Sequence, residues 1–264
     1  MKVRESSGIK ILQPCSLEWF DYQIDPYVGC EHHCLYCYTL NQNDTEKTGE
    51  IRTYEDLAGQ LIEELFRLRP QTIYVGMNSD PYQPCEKIYQ QTRKVLELLA
   101  CRKFSVCVLT KSDLILRDID LLQNMPGSSA GFSIAFQDEK VRKLFEAKAP
   151  SNRKRLRALK KLKKAGIETY TLITPVMPFI TDVNQIIQKV SPHSDTIWIY
   201  GLNMKAEKDR NWQNLKGILE KHFPDRLDQY REIAFSSSHP YWVELRERLE
   251  ATQRADKLNL KIEL

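Results

Sequence analysis

The chain has 264 residues, 42% of them hydrophobic, with 39 Lys+Arg against 35 Asp+Glu. That is enough chain to bury a core, and the composition excludes collagen-like and fully disordered classes. A net charge of +4 is too small for binding polyanions over the whole surface. No apolar run approaches the ~18 residues of a membrane span. The opening Met1–Gly8 has no apolar signal segment, so the expectation is a cytoplasmic protein with no membrane contact.

In chain order, a first strand is expected near Asp25–Val28, followed at once by a cysteine-rich loop. Tyr54–Leu68 reads as a helix, Thr72–Met77 as a strand, Glu86–Ala100 as a helix and Phe104–Thr110 as a buried strand. Ile115–Gln123 reads as a short helix and Ala130–Phe136 as a strand. Asn152–Ala165 is helical and ends at Gly166, before a strand over Ile167–Thr174. Thr181-Asp182 caps a helix running to about Val190, and Asp195–Gly201 is the last strand. Beyond residue 205 the chain reads as helical and charged, with a Ser/His/Pro loop at 236–240 before a helix over Tyr241–Arg254. Six strands separated mostly by helices imply a parallel α/β sheet, either open or curled into a barrel, with its chemistry at the carboxyl ends of the strands. With no repeat and no linker, the expectation is one domain over 1–264, a core of about 20–205 and a helical extension of about 206–264.

Seven cysteines cannot all pair into disulfides within one chain, and in a reducing compartment free thiols are the default. Cys30, Cys34 and Cys37 fall within eight residues, while nothing beyond Cys107 is a cysteine. So tight a cluster points to metal binding, whereas Cys101 and Cys107 flank or lie in a strand and read as small core residues. Three thiolates do not complete a structural zinc site; His32 or His33 is a candidate fourth ligand, but no further ligand pair follows later in the chain. Held by three thiolates alone, a [4Fe–4S] cube keeps one iron open, as catalysis needs.

Cys30-x3-Cys34-x2-Cys37, with Tyr36 directly before the last cysteine, resembles the signature of the radical S-adenosylmethionine superfamily. Asp25–Tyr38, Ser79-Asp-Pro-Tyr-Gln-Pro84, Leu109-Thr-Lys-Ser112 and Ala149-Pro-Ser151 followed by Arg155 are similar to motifs of its spore photoproduct lyase-like subgroup. The resemblance implies a partial (β/α)6 barrel, a [4Fe–4S] cluster on the three cysteines, and S-adenosylmethionine chelated at the open iron. It implies reductive cleavage to methionine and a 5′-deoxyadenosyl radical that takes hydrogen from substrate, with electrons from a flavodoxin or ferredoxin. Carried over residue by residue, Tyr36, Ser79, Lys111, Ser133 and Arg155 are cofactor-binding candidates, and Tyr38 matches a tyrosine of the lyases' radical relay. The lyases have a hydrogen-returning cysteine two residues before the serine matching Ser79; here that residue is Met77, which argues against thymine-dimer repair by their route.

Arg153–Lys164 holds eight basic residues, among them Lys160, Lys161, Lys163 and Lys164, around an apolar stripe of Leu156, Leu159 and Leu162. Such a helix presents a positive face that binds nucleic acid by neutralising phosphates, or is simply solvated. Trp198, Trp212, Trp242 and Tyr200 are candidates for base stacking or for the core. The alternatives to a radical enzyme acting on nucleic acid are a non-enzymatic Fe–S or zinc nucleic-acid-binding protein and a radical enzyme for a small molecule or peptide.

Overall fold

The computed structural model describes residues 2–6, 8, 10–42 and 49–264. They form two compact units interleaved along the chain: the described residues up to 32, with 49–132 and 153–169, make the first, and 33–42, 133–152 and 170–264 the second.

Strands follow in chain order: β1 (Lys2–Ser6), β2 (Leu12–Pro14), β3 (Tyr22–Ile24), β4 (Glu50–Tyr54), β5 (Thr72–Val75), β6 (Ser105–Thr110), β7 (Ser129–Ser133), β8 (Glu168–Val176), β9 (Thr196–Gly201) and β10 (Leu260–Glu263). In the first unit β3, β5, β6 and β7 pair side by side in parallel, and β2 adds antiparallel to β3. A separate parallel pair joins β1 to β4. In the second unit β9 lies parallel between β8 and β10. Five of the six expected strands are present as β5 to β9, the first is displaced to β3, and the class is α/β with mainly parallel strands.

The strands read as runs of Val, Ile and aromatic residues because helices cover them. Ile73, Val75, Val106, Val108 and Phe132 are fully buried, as are Leu61, Leu65, Val95, Leu96 and Leu99 of the helices Leu57–Leu65 and Gln91–Cys101. Each such side chain contributes about 2 kcal/mol of burial. In the second unit Ile173, Ile197 and Ile199 are buried, as are Trp212, Leu215 and Leu219 of the helix Arg210–His222.

Four expectations are corrected. The first strand ends at Ile24 rather than running over Asp25–Val28, because Pro26 has no N–H to give a ladder; Val28 makes only an isolated antiparallel bridge to Arg52. The helix expected over Glu86–Ala100 breaks at Gln90, which has φ 50°, into Glu86–Tyr89 and Gln91–Cys101. The buried Glu86 carboxylate causes the break by accepting the N–H groups of Thr92 (3.0 Å) and Arg93 (3.3 Å) at the start of the second helix. The 115–123 segment starts as a tight 3-10 turn over Asp113–Asp118 and becomes α-helical only at Ile119–Gln123. A helix over Glu139–Phe145, capped by Asp138 on the N–H groups of Lys140 and Val141 (2.8 Å each), adds an element that the hydrophobic pattern does not announce.

The C-terminal region is helical as expected, its last helix (Pro240–Asp256) capped by His239, but the chain closes with β10. No helix among the described residues is long and apolar enough to cross a membrane.

Candidate functional site

The cysteine loop leaves β3 through Asp25-Pro26-Tyr27, and the same tripeptide recurs after β5 as Asp80-Pro81-Tyr82. Each aspartate reaches sideways to the exit of the next strand. Asp25 accepts the N–H groups of Asn78 (2.8 Å) and Ser79 (3.1 Å), together with the side-chain amides of Asn78 (2.8 Å) and Gln23 (3.3 Å). Burial pushes its carboxyl above the usual carboxylate range in spite of these four donors. Asp80 accepts the Thr110 hydroxyl (2.6 Å) and the Lys111 N–H (2.7 Å) at the end of β6. It also faces the loop, where His32 Nε2 lies 3.1 Å from Asp80 Oδ2. Burial alone would raise Asp80, but the His32 charge and hydrogen bond, with the Thr110 and Lys111 donors, outweigh it and hold the carboxyl at about 2.

Around these anchors the first unit grips the chain leading to Cys30. Tyr27 donates its hydroxyl to Glu86, and Arg117 Nη2 completes that carboxylate at 2.5 Å. Ser79 Oγ donates to the Tyr27 carbonyl (2.8 Å), and Tyr54 Oη to the Asp25 carbonyl (2.9 Å). Gln83 accepts the Glu31 N–H (2.8 Å) and donates to the Gly29 carbonyl (3.0 Å). Glu31 in turn accepts the Cys85 N–H (2.6 Å). Gly29 turns the loop with φ 92°, and His33 follows with φ 46°.

In the second unit Leu35 donates its N–H to the Phe145 carbonyl (2.9 Å), and Tyr36 donates its hydroxyl to Glu146. The Tyr36 ring lies 6.3 Å from that of Phe136. Asn214 and Asn211, on the helix Arg210–His222, donate to the carbonyls of Leu35 (3.4 Å) and Tyr36 (3.5 Å). The Cys37 N–H closes a turn on the Cys34 carbonyl (3.0 Å), and Cys37 Sγ lies 3.0 Å from Thr39 Oγ1.

All seven cysteines are thiols rather than disulfides; Cys34 is buried, and Cys30 and Cys37 are half-buried. Soft sulfur donors suit iron–sulfur clusters, and the Thr39 hydroxyl is placed to donate to a Cys37 thiolate. Among the described residues no three His, Cys, Asp or Glu side chains converge on the position of one ion. A cube asks for less convergence than one ion does, since each thiolate meets its own iron. Among the described residues the buried Nδ1 of His32, between Cys30 and Cys34 in sequence, meets no hydrogen-bond partner, which suits a loop built to face a non-protein group. The donor set therefore fits a three-cysteine cluster.

The other expected site residues lie at strand ends or on the basic helix. Ser79 is buried after β5 and its hydroxyl is engaged by Tyr27; Lys111 is half-buried directly after β6. Ser133 is buried as the last residue of β7, and Tyr38 is 44% exposed at the start of a 3-10 turn. Arg155 is fully buried, so the face of the helix Asn152–Lys164 carries seven exposed cations rather than eight, Lys160, Lys161, Lys163 and Lys164 among them. Trp212 and Trp242 are core residues, the latter donating to the Ile233 carbonyl (3.2 Å), and do not stack bases. Trp198 and Tyr200 are half-buried and stack on each other, 6.3 Å between centroids. Asp25, Glu31, His32, Asp80, Gln83, Glu86 and Glu146 hold the loop although the sequence alone assigns none of them that task. The repeated Asp-Pro-Tyr at two strand ends is the available signal for the two aspartates, and Glu31, His32 and Gln83 lie within the motifs quoted above; Glu86 and Glu146 have none.

A family profile described as Radical SAM superfamily matches residues 24–189, which include the three loop cysteines. An uncharacterized protein of Methanocaldococcus jannaschii is 31% identical over 83% of this chain and 83% of its own length. One of Mycobacterium tuberculosis is 27% identical over 81% of this chain and 67% of its own. Among solved structures, a spore photoproduct lyase mutant with bound AdoMet and dinucleoside spore photoproduct superposes with a TM-score of 0.69 at 17% identity, covering 99% of this chain and 81% of that one. SuiB of Streptococcus suis bound to its precursor peptide SuiA gives a TM-score of 0.59 at 12% identity, covering 92% and 48%. At these identities the structural likeness establishes the fold alone.

Proposed function

The chain belongs to the radical SAM superfamily, and on that footing we propose that it is a radical enzyme whose cluster is held by Cys30, Cys34 and Cys37. The observation that carries this reading is the loop itself: three thiols within eight residues, inside the matched family span, on a backbone pinned from both of its ends. When bound, the reduced [4Fe–4S] cluster and S-adenosylmethionine supply a 5′-deoxyadenosyl radical able to take hydrogen from a substrate. Electrons come from a donor such as flavodoxin or ferredoxin, and the need for a reduced cluster and seven thiols fits the cytoplasm. The matched span runs through segments of both units, which supports one catalytic domain over 1–264.

The chain's own residues then bind and orient. Ser79, Lys111, Ser133 and Arg155 are the cofactor-contacting set, with Arg155 a guanidinium suited to a carboxylate. Glu146 fixes the Tyr36 hydroxyl and so the plane of a ring proposed to lie by the adenine. Tyr38 is proposed to relay the radical. Met77 is a thioether and a poor hydrogen-atom donor, so the reaction differs from thymine-dimer lysis. Nucleic acid is the substrate class favoured here, supported by the seven exposed cations of the 152–164 helix and by the dinucleoside bound in the lyase structure.

The test is anaerobic reconstitution with iron and sulfide, reduction, addition of S-adenosylmethionine and assay of 5′-deoxyadenosine. The wild type is expected to form it. A cluster-loaded protein making no more than a Cys30/Cys34/Cys37→Ala variant would refute the enzyme.

A further inference from the structure

The segment 79–86 touches the chain that leads into the cluster loop at four successive places. Ser79 Oγ holds the Tyr27 carbonyl, Asp80 faces His32, Gln83 bridges Gly29 and Glu31, and Glu86 accepts the Tyr27 hydroxyl. Gln83 differs from the others in what it grips. It is fully buried, and its one carboxamide bonds the carbonyl just before Cys30 and the N–H just after it. The orientation of the amide follows from its partners: only Oε1 accepts an N–H, and only Nε2 donates to a carbonyl. The grip is returned, since the Glu31 carboxylate holds the Cys85 N–H at 2.6 Å. Residues 29–31 and 83–85 are thus stitched by three hydrogen bonds between segments more than fifty positions apart, two of them made by one neutral side chain.

We propose that Gln83 is a positioning residue for the cluster, fixing the peptide groups on both sides of Cys30 so that its thiol meets iron in one orientation. This rests on the reading of Cys30, Cys34 and Cys37 as cluster ligands. A cysteine on a loop has free rotation about its backbone dihedrals unless both flanking peptides are held, and ligands held from outside bind metal more tightly. Ser79, Asp80 and Glu86 hold Tyr27 and His32; the carboxamide of Gln83 holds the peptides adjoining a ligand.

The experiment uses the full chain reconstituted anaerobically, as wild type, Gln83→Glu and Gln83→Met. Met keeps the volume and removes both bonds; Glu keeps the acceptor for Glu31 and removes the donor to Gly29. Three quantities are read: the rate of iron loss to a chelator, the electron paramagnetic resonance spectrum of the reduced cluster, and amide exchange of the protein before iron is added. Expected for Gln83→Met is roughly 10–100-fold faster iron loss, a changed spectrum, and loss of protection confined to residues 29–32, with Gln83→Glu between Met and wild type. Iron retention and spectrum equal to wild type in Gln83→Met would overturn the proposal, leaving Gln83 as filling only. Protection lost throughout β5 and β6 would also overturn it, in favour of a general role in folding. Failure of the wild type itself to hold more iron than the Cys30/Cys34/Cys37→Ala variant would overturn the underlying cluster reading, and this proposal with it.

Discussion

Asp80 sets the electrostatics at the residue scale. It is buried, yet its carboxyl is held at about 2 against an ordinary 3.8, because His32, Thr110 and Lys111 favour the ionised form over the cost of burial. As pH falls, the unfolded chain takes up this proton near 3.8 while the folded chain resists until about 2. The stabilisation, about 2 kcal/mol, is therefore complete above the unfolded value and is lost as pH falls through the folded one. Asp80→Asn is expected to be less stable than wild type by about 2 kcal/mol or somewhat more at pH 7. The gap should narrow below pH ~4, as read from urea denaturation midpoints at a series of pH values. A gap independent of pH would assign the effect of Asp80 to shape alone. The tripeptide around Asp80 is visible in the sequence, but its partners are not, since Lys111 and His32 lie 31 and 48 positions away in opposite directions.

The exit of β5 constrains the chain at the element scale. Gly76 has φ +100°, and a Cβ there would stand 2.6 Å from the Leu109 carbonyl oxygen and 2.7 Å from Pro81 Cδ. Gly76→Ala meets both a forbidden backbone region and a backbone atom that does not yield, and is expected to cost about 3 kcal/mol. Gly166, which ends the helix Asn152–Lys164 with φ +77°, has nothing within 4 Å of its Cβ position, so Gly166→Ala should cost only the conformational term, about 1 kcal/mol. Denaturation of the two variants side by side separates steric from conformational cost; equal losses would contradict the crowding at β5. Gly166 is readable in sequence as a helix stop because the signal is local. The break at Gln90 is not, because a carboxylate four residues earlier, itself held by Tyr27 and Arg117, competes for the helix N–H groups.

For the whole molecule, a net charge of +4 is an average over one basic helix and a mixed remainder. Lys154 and Arg157 lie 4.0 and 3.8 Å from Asp113, at the outer limit of an ion pair. If nucleic acid binds this face, replacing Lys160, Lys161, Lys163 and Lys164 by Gln should weaken binding to a DNA oligonucleotide. It should also reduce the slope of log affinity against log salt by about 0.7–0.9 for each phosphate no longer neutralised. An unchanged affinity and slope would mark the helix as a solvated face and remove its support for a nucleic-acid substrate.

The sequence by itself determined what depends on neighbours in the chain. The five strands β5 to β9, the helix end at Gly166 and the three-cysteine loop follow from periodicity, turn chemistry and spacing over a few residues. The tertiary structure alone decided what depends on distant partners. It buried Arg155, one of eight basic residues that read as a single outer face, ended the first strand at Ile24, and gave Asp25, Asp80, Gln83 and Glu86 the task of holding the loop. A buried polar group must be satisfied, but the sequence does not say by whom; only folding brings residues 25–32 to residues 78–86, and that encounter makes a cysteine motif into a shaped site.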